Sequence, residues 1–313
     1  RHAKVEFTKD WAKDASRRDL TINAIYMDIS QNIFDPFDGV KDLKNGVIKF
    51  IGDSEIRIKE DYLRILRYLR FYTLYSKNEH SSELVEIIKR NLNGLNIISN
   101  ERILLEIKKI LFLDKVEDLF SNDISCSILL TVFPQFKYYD RIKKIKNKIQ
   151  NISLELSFEF MLSLLLIDAT DSCEFFLYKY KLSNKQKNTI LFLLKNYRLK
   201  DKTNIFGEKN LNKLIYYNEK KIVNYLLLLI SEDDKFDNNS FKHLFDKINN
   251  FEKPKFPITG NYLKTNFNFK EGKELGEVLE NIENYWILNG FKINDREIKD
   301  ITSKWFTKYI LHF

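Results

Sequence analysis

Tyr62, Leu66, Leu69 and Leu74 recur near i, i+4, i+7 and i+12, with Leu63 beside them. Only a helix of about 3.6 residues per turn puts such positions on one face. Arg64, Arg67 and Arg70 step by three along another face. Helical patterns follow at 82–92, 99–113, 138–150, 155–167, 171–181, 184–197, 220–231, 238–250, 274–289 and 294–311. With 9 Gly and 4 Pro in 313 residues, little interrupts them. The chain is therefore expected to be mainly α. Residues 251–261, carrying Pro254 and Pro257, read as a linker.

Strand character is confined to residues 1–57. Ala24–Met27 and Asn32–Phe34 flank Ser30-Gln31 and read as a hairpin or two short strands. Asp35-Pro36-Phe37-Asp38-Gly39 is a turn cluster. Val47–Ile51 reads as a further strand, stopped at Gly52-Asp53. A hairpin with one extra strand makes a poor domain by itself, so this segment needs partners from elsewhere.

A formal charge of +8 suits an anionic partner without requiring one. Cys126 and Cys173 lack a CxxC or His companion and read as core thiols in a reducing compartment. No apolar run nears the roughly 20 residues of a membrane span, and no signal peptide is visible. A cytoplasmic protein is expected. The histidines, His2, His80, His243 and His312, are scattered and receive no role.

Two charged clusters carry candidate chemistry. In RRDLTINAIYMD at 17–28, Asp19 and Thr21 can cap a following turn. Alternatively, the arginines meet phosphates and the carboxylate meets a sugar hydroxyl, against a strand ready for burial. In RIKEDYLRILRYLRF at 57–71, Asp61 and Arg64 would share a helix face. One reading is a plain ion pair. The other is a base reader: a carboxylate only accepts hydrogen bonds and a guanidinium only donates. That pair complements cytosine or adenine, which place an amine beside a ring acceptor. Uracil and guanine offer a carbonyl where the carboxylate needs a donor.

RRDLTINAIYMD resembles the RRDFTINA motif of the class II tRNA nucleotidyltransferase / poly(A) polymerase family. DPFDGVKDL at 35–43 resembles its DPFGGxxDL stretch, EDYLR at 60–64 its EDxxR motif, and ISNERILLEIKKIL at 98–111 its ISxER…EL segment. The opening RHAKVEFTKDW is also similar to the family's segment before RRD. The order of the motifs matches the family's. The resemblance implies a mainly α protein: the remnant of an α/β nucleotidyltransferase head, then an all-helical neck, body and tail. The segments would be 1–57, 58–115, 116–250 and 251–313. It implies transfer of nucleotides from CTP and ATP to tRNA 3′ ends with Mg²⁺, as CCA addition or, in some members, poly(A) addition. Arg17, Arg18, Asp19 and Asn23 would bind the nucleotide. Asp61 and Arg64 would read its base, with Glu60 bracing Arg64. Asp35, Gly39 and Asp42 would form a flexible junction that reshapes the pocket, and Glu101 and Arg102 would hold the neck.

More weakly, 256–279 resembles the family's tail. Gly272 and Gly276 open a helix there whose N–H groups would hold a phosphate or simply start and pack the helix. Lys143, Lys144, Lys146 and Lys148 give a solvated face or a tRNA backbone contact.

The family's metal-binding Asp-x-Asp segment lies upstream of RRD and has no counterpart here. No catalytic carboxylate or metal ligand is identified, and neither Asp35/Asp38 nor Asp168/Asp171 is an evident substitute. The chain is expected to be N-terminally truncated, with a separately encoded head fragment as a candidate partner. A non-catalytic tRNA-binding remnant is the alternative from another class.

Overall fold

The computed structural model describes residues 10–150, 152–168, 170–232 and 236–310, with side chains to Thr307. The opening motif at 1–9, His2 and His312 lie outside them. Packing divides the chain into two units, Arg1–Ile190 and Leu191–Phe313.

Among the described residues the first unit begins with α1 (Trp11–Ser16), capped by Asp10, whose carboxylate accepts the Ala12 and Lys13 N–H groups. A 3₁₀ turn, Thr21–Asn23, leads into β1 (Tyr26–Met27), which pairs antiparallel with β2 (Ile33–Phe34). These are the hairpin strands, shortened to two residues each. The expectation of a buried strand after RRD is not met: Ala24 is buried, but Met27 is 66% exposed. A ladder this short covers only one side of its residues. Nor is Val47–Ile51 a strand. Among the described residues it makes one antiparallel bridge, Leu20 to Phe50, because only residues 19–21 run beside it.

Helices α2 (Gly39–Asn45) and α3 (Ser54–Glu60) follow, then α4 (Arg64–Tyr75), α5 (Ser82–Asn91) and α6 (Asn100–Leu111). The helical period expected from Asp53 onward is broken at 61–63. Asp61 is extended, with φ −156° and ψ 101°, so α3 ends before it. Tyr62 pins this break. Its ring lies on Gly94, where a Cβ would come within 2.1 Å of the ring, a contact that only glycine permits.

The unit continues with α7 (Val116–Ser121), α8 (Asp123–Val132), α9 (Asp140–Ile149), α10 (Phe158–Leu166) and α11 (Ser172–Lys179). α10, FEFMLSLLL, is apolar nearly all round and almost wholly buried, as expected of a central core helix. It packs on α6, α9 and α11. Cys126 and Cys173 are buried and form no disulfide. α12 (Asn184–Tyr197) spans the division between the units.

The second unit holds α13 (Glu208–Tyr217), α14 (Lys220–Ile230), α15 (Asn238–Asn249), α16 (Gly260–Phe267), α17 (Lys273–Leu288) and α18 (Asp295–Ile310). α17 packs on α13, α16 and α18, around Leu263, Val278, Ile282 and Trp305. Among the described residues, no helix is long and apolar enough to cross a membrane.

Candidate nucleotide site

A cleft of about 390 Å³ opens in the first unit, where α1, the break before α4, and α6 converge. Arg17, Arg18, Asp19, Asp61, Leu63, Arg64, Arg67, Arg102, Leu105, Glu106 and Lys109 line it. Six side chains are cationic and three are carboxylates, a net excess of three positive charges. Two motifs more than 40 residues apart in sequence thus share one cleft.

Its mouth is organised by Asp14. Asp14 accepts hydrogen bonds from Tyr26 (2.6 Å), Arg17 and Arg18. Tyr26 first, then the two guanidinium groups, hold the Asp14 carboxyl far below the usual range. Arg18 also lies 5.4 Å from the centre of the Tyr26 ring. Two cations are therefore gathered at the mouth, where guanidinium forks suit phosphate.

Asp19 forms the floor and is buried. Its carboxylate accepts from Arg67 Nε at 2.5 Å and from Asn23 Nδ2 at 2.9 Å. Burial alone would raise its pKa, but Arg67 and then Asn23 outweigh that and hold it below the ordinary value. Neither Asp19 nor Thr21 caps the 3₁₀ turn. Thr21 Oγ1 donates instead to Asp42 at 2.7 Å.

Asp61 and Arg64 line the cleft from the break between α3 and α4, where the Arg64 N–H donates to the Asp61 carbonyl at 3.0 Å. Asp61 Oδ2 accepts from Arg102 at 2.6 Å, and Oδ1 from the Leu63 N–H at 3.2 Å. Arg64 Nη1 donates to Glu60 at 2.6 Å and to the Arg57 carbonyl at 2.8 Å. Arg64 Nη2 reaches the Arg17 carbonyl at 3.5 Å, tying the two motifs together. Arg64 and then Arg57 hold the Glu60 carboxyl below its ordinary range.

Asp35, Gly39 and Asp42 stand outside the cleft lining. The Asp35 carboxylate accepts the N–H groups of Gly39 and Val40, both at 2.8 Å. Gly39 lies against the Thr21 carbonyl, which a Cβ would approach to 2.3 Å. Glu101 is exposed in the first turn of α6. Sequence reasoning passed over Asp14, Arg67, Leu105, Glu106 and Lys109. The Arg64/67/70 spacing was the available signal for Arg67, and the spacing of Asp14 to Arg17 and Arg18 the signal for Asp14.

The cationic cleft and the motifs that line it suit the nucleotidyltransferase class. The family model described as Poly A polymerase head domain matches residues 1–49, and that of tRNA nucleotidyltransferase domain 2 matches residues 157–300. The chain is 31% identical to the mitochondrial CCA tRNA nucleotidyltransferase 1 of Danio rerio, over 97% of this chain and 70% of that protein. It is 33% identical to the CCA-adding enzyme of Ligilactobacillus salivarius, over 94% and 72% respectively. The chain belongs to the CCA-adding tRNA nucleotidyltransferase family. Its fold is similar to that of the Bacillus stearothermophilus CCA-adding enzyme in complex with CTP, with a TM-score of 0.66 and 20% identity over 97% of this chain and 76% of the other. It is also similar to the Thermotoga maritima CCA-adding enzyme complexed with tRNA, with a TM-score of 0.61 and 24% identity over 94% and 74%.

The family implies a divalent metal. Among the described residues, no three His, Cys, Asp or Glu side chains come together as a metal site. The three cleft carboxylates are each engaged by a cation. The residues present do not fit that group.

Proposed function

We propose that this chain selects CTP and ATP and presents them to a tRNA 3′ end for CCA addition. The carrying observation is the convergence of Arg17, Arg18, Asp19, Asp61 and Arg64 on one cationic cleft. Arg17 and Arg18 meet the triphosphate at the mouth, and Asp19, steadied by Asn23 and Arg67, accepts a ribose hydroxyl. Asp61 accepts from the exocyclic amine of C or A while Arg64, steadied by Glu60, donates to the neighbouring ring nitrogen. Asp35, Gly39 and Asp42 lie at the junction that reshapes the pocket between C and A addition, and Glu101 and Arg102 hold the neck. In the transfer, the tRNA 3′-hydroxyl oxygen bonds to the α-phosphorus and pyrophosphate leaves. The contribution of these side chains is positioning and choice of base.

The metal is Mg²⁺ in this reading, and its ligands lie outside the described residues. The functional segments are a partial head at 1–57, neck at 58–115, body at 116–250 and tail at 251–313. We place the chain in the cytoplasm; the Danio rerio relative is named mitochondrial, and cell fractionation decides between the two.

The test is extension of a tRNA lacking its CCA end, with labelled CTP, ATP and Mg²⁺, followed by product sequencing. Growth that stops after three additions is the expected product, and continued A addition would indicate poly(A) synthesis. Growth by the chain alone would put the metal ligands on it, with Asp28, Asp35 and Asp38 the first suspects. Growth only after adding a separately made head fragment would put them on that fragment. Tight tRNA binding without extension in either case would refute the catalytic reading.

A further inference from the structure

We infer that Arg102 is a positioning residue for base choice: it fixes the direction of the Asp61 carboxylate. The inference rests on the base-reading role proposed above for Asp61. Arg102 comes from the first turn of α6, 41 residues beyond its partner, and reaches Asp61 Oδ2 at 2.6 Å. The other oxygen accepts the Leu63 N–H at 3.2 Å. Anchors on both oxygens fix the plane of the carboxylate. Asp61 sits in the break between two helices, where its carbonyl accepts the Arg64 N–H at 3.0 Å and only its carboxylate is left to be oriented.

An ionised carboxylate offers about four lone-pair sites. One on each oxygen is used, and the remainder are available to an exocyclic amine. A fixed oxygen there attracts the amine of C or A and repels the carbonyl of U or G. A carboxylate that swings away does neither.

The mount is rigid. α6 is fixed to α4 by Glu106, a buried carboxylate that accepts from Arg70 Nε at 2.5 Å. Arg64, the other half of the reader, has separate anchors at Arg57, Glu60 and Arg17. Loss of Arg102 therefore disorients the acceptor and leaves the donor in place. An ordinary surface ion pair would have no effect on base choice, and that separates the two roles. Arg102 is half exposed, so its replacement leaves the core intact.

The test is calorimetric titration of the full 313-residue chain with CTP, ATP, UTP and GTP as magnesium salts. It compares the unmodified chain with Arg102→Ala, Arg102→Lys, Asp61→Ala and the double Ala variant. Arg102→Ala is expected to lower the CTP-to-UTP affinity ratio roughly 3- to 10-fold with an unchanged thermal midpoint. Arg102→Lys restores part of the ratio, and in the Asp61→Ala background the loss of Arg102 changes nothing further. A ratio kept by Arg102→Ala but abolished by Asp61→Ala overturns the positioning role and leaves base reading intact. A ratio raised by Arg102→Ala overturns it as well, since Arg102 would then be competing with the base. A ratio that survives Asp61→Ala overturns the base-reading role itself.

Discussion

Replacing Arg67 by Met should loosen the floor of the cleft in a way that depends on pH. Met keeps much of the aliphatic bulk and removes the guanidinium. Asp19, 6% exposed, then keeps, among the described residues, only Asn23 as a side-chain donor. Breaking a buried ion pair from one side costs about 3–5 kcal/mol. Arg67 is 30% exposed, so water replaces part of what is lost and about 2–3 kcal/mol remains at pH 7. For a unit of this size that lowers the melting midpoint by roughly 4–12 °C. The sign of the pH dependence follows from Asp19. Its pKa is lower folded than unfolded, so the unfolded chain takes up the proton first as pH falls. The contribution of the pair is full above about pH 5 and drains as pH drops through about 4 towards the folded value. Thermal and urea unfolding of both proteins, followed by circular dichroism at pH 7, 5 and 3.5, measures this. The stability gap should be widest at pH 7 and narrow at pH 3.5. A gap below about 0.5 kcal/mol at pH 7, or one equal at both ends, would refute the reasoning.

His80 gives a second pH signature. Its ring bridges Tyr68 at 2.9 Å and Ser125 at 2.8 Å, and stacks on Tyr72. Burial holds its pKa below the ordinary value, so stability should decline as pH falls through about 6.5. His80→Phe should flatten that decline in a stability series from pH 7.5 to 5.5. Gly39→Ala should cost about 2 kcal/mol or more, because its Cβ would lie 2.3 Å from the Thr21 carbonyl oxygen. Gly276→Ala, with nothing within 4 Å of its Cβ, should instead gain up to about 1 kcal/mol from helix propensity. Urea midpoints measure both.

The legible part of this protein was its local physics. Apolar spacing marked α5, α6, α9 to α12, α14, α15, α17 and α18, because each shows one face, or an unbroken apolar run, to a core. The short helices α1, α2 and α7 carried too little periodicity to be seen. The residue types in RRD and EDxxR also stood in the sequence, since guanidinium and carboxylate groups have fixed donor and acceptor roles. Tertiary structure decided how they meet. DxxR read as a helical face, yet Tyr62 lying on Gly94 breaks the helix there, and a contact between residues 32 apart in the chain has no local signature. The grip of Arg102 on Asp61 and of Arg67 on Asp19 spans 41 and 48 residues. Such pairs depend on how α4 and α6 pack, and packing is settled by the whole core and not by the neighbours of either residue.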